Sequence, residues 1–143
     1  AIFSARIKNH NPPLIFEDGL QSRDFIHVSD IVQANLLVMA KAEADYQSFN
    51  VGTGQAVSIG RIGRLLAGLY GEPVEPDITR KYRAGDIRHC YADVSSLKAL
   101  GFEPSVTLEE GLRDLVAWGK AVEAEDRVEA AARELEVRGL TQG

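Results

Sequence analysis

The stretch TRKYRAGDIRHC, residues 79–90, sets Arg80, Lys81, Arg83 and Arg88 around a Gly85-Asp86 pair in a chain whose formal net charge is −5. A solvated basic loop accounts for that clustering. So does a site for something doubly negative, such as a diphosphate. The guanidinium of Arg83 is a planar fork of donors that can grip phosphate oxygens at two points. Gly85 has no Cβ and lets backbone approach closely. Asp86 only accepts hydrogen bonds, so it cannot serve a phosphate; it suits ribose hydroxyls or an arginine held in place. Cation, glycine and acid in that order fit a phosphorylated sugar better than bare phosphate.

Arg23, in GLQSRDFIHVSD, stands immediately before an apolar run. It reads either as a surface arginine paired with Asp24 or Asp18, or as a strand-end cation held for an anionic group. NVGTG, residues 50–54, invites a dinucleotide-loop reading. Position 57 is Val where a third glycine would stand, and no βαβ unit with a well-placed acid follows, so a tight turn is the better reading. His10, His27 and His89 lack metal-ligand spacing, and His27 reads as a structural histidine. Cys90 has only His89 as a neighbouring base, and adjacent strand residues point to opposite faces, which argues against a cysteine nucleophile.

The elements that must position these residues alternate between helix and short strand. AIFSARIKNHNPP opens on what reads as the last turns of a helix, ended by Pro12 and Pro13, as a piece cut from a longer protein would. LIF and RDFIHV read as strands around the Asp18-Gly19 turn. Ser29 is placed to cap a helix from Asp30 to about Ala42, with Asp30 complementing the positive helix start. SFNV reads as a short buried strand running into the glycines. Ser58 opens a helix with Ile62, Leu65, Leu66 and Leu69 in one stripe, stopped by Gly71 and Pro73. Asp93 caps a short helix ended by Gly101, and TLEE at 107–110 is a capping box for a further helix. From about Glu123 the composition turns to Ala, Glu and Arg, with Val128, Ala131, Ala132 and Leu135 as a narrow apolar stripe of an amphipathic helix packed on the body or on a second subunit. The domain reading is therefore 1–122 for the body and 123–143 for a C-terminal helix and tail.

The pattern is mixed α/β, with too few strands for a self-contained doubly wound sheet. A chain of 143 residues with 45% hydrophobic and 26% charged residues is one ordinary domain. No stretch approaches the roughly 20 apolar residues of a membrane span. A single cysteine points to a reducing cytoplasm and excludes an intrachain disulfide or a structural zinc site. The acidic balance argues against nucleic-acid binding.

In order along the chain, PPLIFEDGLQSRDFIHVSDIVQANL, FNVGTG, YRAGDIRHCYAD and LGFEPSVTLEEGLRDLVAW resemble the C-terminal half of extended short-chain dehydrogenases/reductases. These are NAD-dependent nucleotide-sugar epimerases and dehydratases. The resemblance covers about residues 1–122. GDIRHCYAD and DRVEAAARELEVRGL are closest to the dTDP-L-rhamnose 4-epimerase branch, and UDP-hexose 4-epimerases share most of these residues. The fold it implies is the α/β substrate-binding portion, helices with a few short strands, without the N-terminal Rossmann half.

That half carries the family's NAD loop and its catalytic Tyr-x-x-x-Lys. Four residues after Tyr46, Tyr70, Tyr82 and Tyr91 stand Asn50, Val74, Asp86 and Ser95, so no such motif occurs here. The resemblance therefore assigns no catalytic residue to this chain, leaves NAD to sequence outside it, and implies a piece inactive by itself. It carries nucleotide contacts onto Leu14, Ile15 and Phe16, where backbone groups and an aromatic ring would frame the base. It places a phosphate-binding arginine at Arg23 and the R-x-G-D arginine and acid at Arg83 and Asp86. Gln55 matches a position that touches the nucleotide in some members, and Cys90 one that faces the hexose.

The implied ligand is a dTDP- or UDP-hexose, and the implied full-length assembly a homodimer. The implied reaction is 4-epimerisation, in which the nucleotide stays anchored while the 4-keto sugar rotates. A 4,6-dehydratase or decarboxylase in the same family, or a non-catalytic interaction module, are the alternatives.

Overall fold

Most helix boundaries follow from local hydrogen-bonding chemistry. The computed structural model describes residues 2–83 and 85–142, with Arg83 and Gln142 described by backbone alone. In chain order the elements are α1 (Ile2–Lys8), β1 (Leu14–Ile15), β2 (Ser22–Arg23), α2 (Val28–Met39), a 3-10 turn at Ala42–Ala44, β3 (Val57–Ser58), α3 (Ile59–Tyr70) and β4 (Asp77–Ile78). Then follow β5 (Tyr82–Arg83), β6 (His89–Cys90), α4 (Ser95–Ala99), α5 (Leu108–Ala121), α6 (Val128–Val137) and β7 (Thr141–Gln142). Helices with a few two-residue strands are the expected α/β class.

The chain divides into two units. The first comprises Ala1–Gln21, Ser58–Arg88 and Leu112–Gly143. Its α1 packs on α3, and β1 runs parallel to β4 with Leu14 opposite Asp77 and Ile15 opposite Ile78. Ile7 and Ile15 are fully buried, and Ile62, Leu66, Ala67, Leu112 and Val116 nearly so. Ile62 and Leu66 belong to the expected apolar stripe, whose Leu65 and Leu69 are half-buried. Ser58 accepts from the Arg61 amide at 3.3 Å to start α3, and Gly71 ends it with φ +81°, a backbone that favours glycine. Gly63 brings α3 close to the strands: a Cβ there would lie 3.0 Å from Pro76 and 3.3 Å from Ile15.

The start of α6 is fixed by a carboxylate. Asp126 accepts from the Val128 amide at 3.1 Å, from Asn11 Nδ2 at 2.9 Å and from the buried Arg6 at 3.3 Å. Arg6 also donates to the Pro12 carbonyl at 2.6 Å. The expected amphipathic tail helix therefore packs on the body of its own unit, with Val128, Ala132 and Leu135 half-buried. Beyond it, β7 pairs antiparallel with β5, Thr141 opposite Arg83 and Gln142 opposite Tyr82. Nothing in the sequence marked that return.

The second unit comprises Ser22–Val57 and His89–Gly111. Ala34, Leu97 and Phe102 form its buried centre, with Ile26, Leu37, Val38, Phe49, Val51 and Leu100 packed against it. Strand β2 runs parallel to β6, and the Ser22 hydroxyl meets His89 Nδ1 at 2.8 Å. The capping box is formed: the Thr107 amide donates to Glu110 at 2.9 Å and the Glu110 amide to Thr107 Oγ1 at 3.3 Å.

Three expectations differ in detail. His27, not Ser29, is the N-cap of α2, because its Nδ1 accepts from the Ser29 amide. RDFIHV is a strand only at its first residue; past it, Asp24 turns its carboxylate to loop amides and Ile26 enters the core. SFNV forms no strand, although Phe49 and Val51 are partly buried against the core.

Candidate functional site

The segment between Lys81 and Arg88 crosses an open pocket of about 1020 Å³ in the first unit, lined by Glu17, Asp18, Ile78, Arg80, Tyr82, Asp86 and Arg88. Asp86 is exposed on that surface. Gly85 has φ +84°, so it supplies the turn that separates β5 from Asp86. The side chain of Arg83 lies outside the described residues; its backbone is in β5.

Two ion pairs hold the mouth. Arg88 donates to Glu17 Oε2 at 2.6 Å and to Asp18 Oδ2 at 2.7 Å, tying the Asp18-Gly19 turn to the basic segment. The Arg88 hydrogen bond, with a smaller contribution from the Leu20 amide, holds the Asp18 carboxyl below its ordinary value. Lys81 pairs with Glu136 of α6 at 2.7 Å. The Lys81 carbonyl also accepts from the Glu17 amide at 2.7 Å, and the Glu17 carbonyl from the Arg80 amide at 3.1 Å. Residues 17 and 80–81 are thus stitched backbone to backbone. Of the four cations in the opening stretch, Lys81 and Arg88 have carboxylate partners in the same unit.

Ile15 is fully buried, and its carbonyl accepts from the Thr79 amide at 2.9 Å and the Thr79 hydroxyl at 3.2 Å. The Phe16 carbonyl accepts from Gln21 Nε2 at 2.8 Å. Leu14, Ile15 and Phe16 therefore lead straight into Glu17 and Asp18, which line the pocket.

In the second unit Arg23 and Cys90 are register partners of β2 and β6. Arg23 is half-buried, with Nη1 on the Ser22 carbonyl at 2.7 Å. Gln55 is exposed beyond the GTG loop, its amide on Thr53 Oγ1 at 3.1 Å. The first unit accordingly holds Leu14, Ile15, Phe16, Asp86 and the backbone of Arg83, and the second holds Arg23, Gln55 and Cys90.

The GTG loop has a clear structural employer. Asp24 accepts from Thr53 Oγ1 at 2.6 Å, the Thr53 amide at 3.0 Å, the Gly54 amide at 2.9 Å and the Ala92 amide at 3.3 Å. A Cβ on Gly52 would collide with the Asp24 carboxylate and sit 2.7 Å from the Ala92 Cβ, which is why glycine is needed there. Burial pushes the Asp24 carboxyl up, but these donors outweigh it and hold its pKa below the ordinary value.

Sequence reasoning did not assign Glu17, Asp18, Arg80, Tyr82 or Arg88 to the site. The available signal was complementary charge, an acidic pair and a basic cluster far apart in sequence, and no spacing rule joins them. No group of three metal-ligating side chains occurs among the described residues, and no helix there is long and apolar enough to cross a membrane.

Comparison with known proteins adds the context. The model of the NAD dependent epimerase/dehydratase family matches residues 1–52. A dTDP-L-rhamnose 4-epimerase of Burkholderia thailandensis is 36% identical over 119 residues, covering 82% of this chain and 32% of the relative. The structure of a UDP-glucose 4-epimerase from Thermotoga maritima with UDP-glucose superposes with a TM-score of 0.76 at 38% identity, covering 84% of this chain and 38% of that one. A UDP-N-acetylglucosamine 4-epimerase from Methanobrevibacter ruminantium, in complex with UDP-N-acetylmuramic acid, gives a TM-score of 0.73 at 36% identity, covering 84% of this chain and 38% of that one. The chain spans about a third of the length of the curated relatives it matches. It matches the C-terminal portion of members of the NAD dependent epimerase/dehydratase family.

Proposed function

We propose that this chain is the nucleotide-sugar-holding part of a 4-epimerase acting on a dTDP- or UDP-hexose. The observation that carries the reading is the pocket at the basic segment. It gathers Asp86, Arg80 and Arg88 in one open pocket, together with Tyr82, the chain neighbour of Arg83. Relatives at 36–38% identity are named 4-epimerases, and two solved ones hold UDP-linked ligands.

In this reading Arg83 and Arg23 grip the diphosphate through charge-assisted hydrogen bonds of about 1.5–3 kcal/mol each. Asp86 accepts from the ribose hydroxyls, residues 14–16 frame the base, Gln55 touches the nucleotide, and Cys90 leaves room beside the hexose. Binding energy spent on the nucleotide, remote from the reacting carbon, keeps the 4-keto sugar tethered while it turns its other face.

The family is described as NAD dependent. The Gly-x-Gly amides that a pyrophosphate would need donate instead to Asp24, so this loop does not fit the dinucleotide. Redox chemistry is assigned to sequence outside this chain, and the full-length enzyme is taken as a homodimer. Calorimetric titration with UDP and with dTDP tests the reading: saturable binding of at least one is expected, and no binding of either would contradict it.

A further inference from the structure

The strand that carries Arg83 is two residues long and, among the described residues, its only sheet partner is β7, the last strand of the chain. A two-residue strand has no standing by itself; its geometry is set by what pairs with it. Among the described residues, several ties hold the segment. Glu17 donates its amide to the Lys81 carbonyl just before β5. Arg88 clasps Glu17 and Asp18 after it. Between them the tail supplies a further tie, with Thr141 opposite Arg83, Gln142 opposite Tyr82, and Glu136 on Lys81. The tail is in turn anchored at the far end of α6 by Asp126 on the buried Arg6.

From this arrangement we infer that α6 with β7 is a positioning element for the nucleotide-binding strand. It sets the backbone from which Arg83 and Asp86 project without itself touching the ligand. The inference rests on the nucleotide reading above and adds to it the residues that hold the site in shape. Its main agent is the β5–β7 ladder. The Lys81–Glu136 pair is half-exposed on both sides, 47% and 52%, so solvent screening leaves it a minor part.

The test compares the 143-residue chain with a version ending at Arg138, which lacks β7 but keeps Asp126 and all of α6. Thr141→Pro is a second variant that disrupts the ladder by removing a backbone donor. Two readouts are taken on each: hydrogen exchange of the amides at 80–88, and affinity for UDP and dTDP by calorimetry. Faster exchange confined to 80–88, a roughly tenfold weaker nucleotide affinity and an unfolding midpoint close to that of the intact chain are expected. Glu136→Gln should weaken affinity by less than about twofold. Unchanged exchange at 80–88 in both variants, or faster exchange with unchanged affinity, would overturn the inference. An intact chain that bound neither nucleotide would overturn the nucleotide reading instead, and the exchange result would still decide whether the tail holds the strand.

Discussion

Carboxylates in the two units do opposite work. In the second unit Asp24 and Asp30 are enclosed by donors of their own chain. Asp30 is 1% exposed and accepts from the Ser105 amide at 3.0 Å, the Ser105 hydroxyl at 2.8 Å and the Val106 amide at 3.2 Å. In the first unit Glu17 and Asp18 face an open pocket and share one exchangeable partner, Arg88. An enclosed carboxylate whose acceptors are filled has nothing left for a ligand and secures the fold. A carboxylate at a pocket mouth, paired with an exposed side chain, can give up its partner when a ligand arrives. Formal charge is the same; the difference is which donors reach it.

Removing an enclosed carboxylate should therefore have the largest effect on stability. Asp30→Ala leaves two backbone amides and a hydroxyl without their acceptor and is expected to cost about 3 kcal/mol, read by denaturant unfolding. The same contrast has a pH signature. Burial raises the Asp30 carboxyl, but the Ser105 and Val106 donors override it, so the folded pKa lies below the ordinary value of 3.8. Asp24 behaves alike. Their stabilisation is fully present above pH 3.8 and is lost as pH falls through the depressed folded values. Stability of the Asp30→Ala chain should fall less steeply than that of the parent in that acid window. Equal slopes would mean that the carboxylate does not hold the loop.

At the pocket, Arg88→Gln should do the reverse. Its pairs are exposed, so the unfolding midpoint should stay within about 3 °C of the parent. Glu17 and Asp18 would then face the pocket uncompensated, and affinity for a nucleoside diphosphate should drop roughly fivefold through like-charge repulsion. A large loss of stability with unchanged affinity would erase the distinction between the two regions.

Features decided within a few residues were legible in the sequence. The Ser58 cap, the Gly71 stop and the Thr107–Glu110 box each need only neighbours along one turn. The α2 start slipped because His27 and Ser29 both carry acceptors and lie two residues apart. Asp30 looked like a complement to the helix dipole; its actual partners, Ser105 and Val106, lie about 75 residues away, where no pattern points. SFNV had the composition of a strand, yet composition reports burial, which Phe49 and Val51 have in part, and not pairing. The site divides the same way. Motif order marked Arg83 and Asp86, whereas Glu17, Arg88 and the β7 return entered only through contacts distant in sequence.

The central claim is that the arginine of the R-x-G-D segment grips a nucleotide diphosphate. Titrating the parent and the Arg83→Ala chain side by side with UDP and dTDP tests it most directly. Saturable binding in the parent and none in the variant is the predicted result; equal affinity in the two would contradict it.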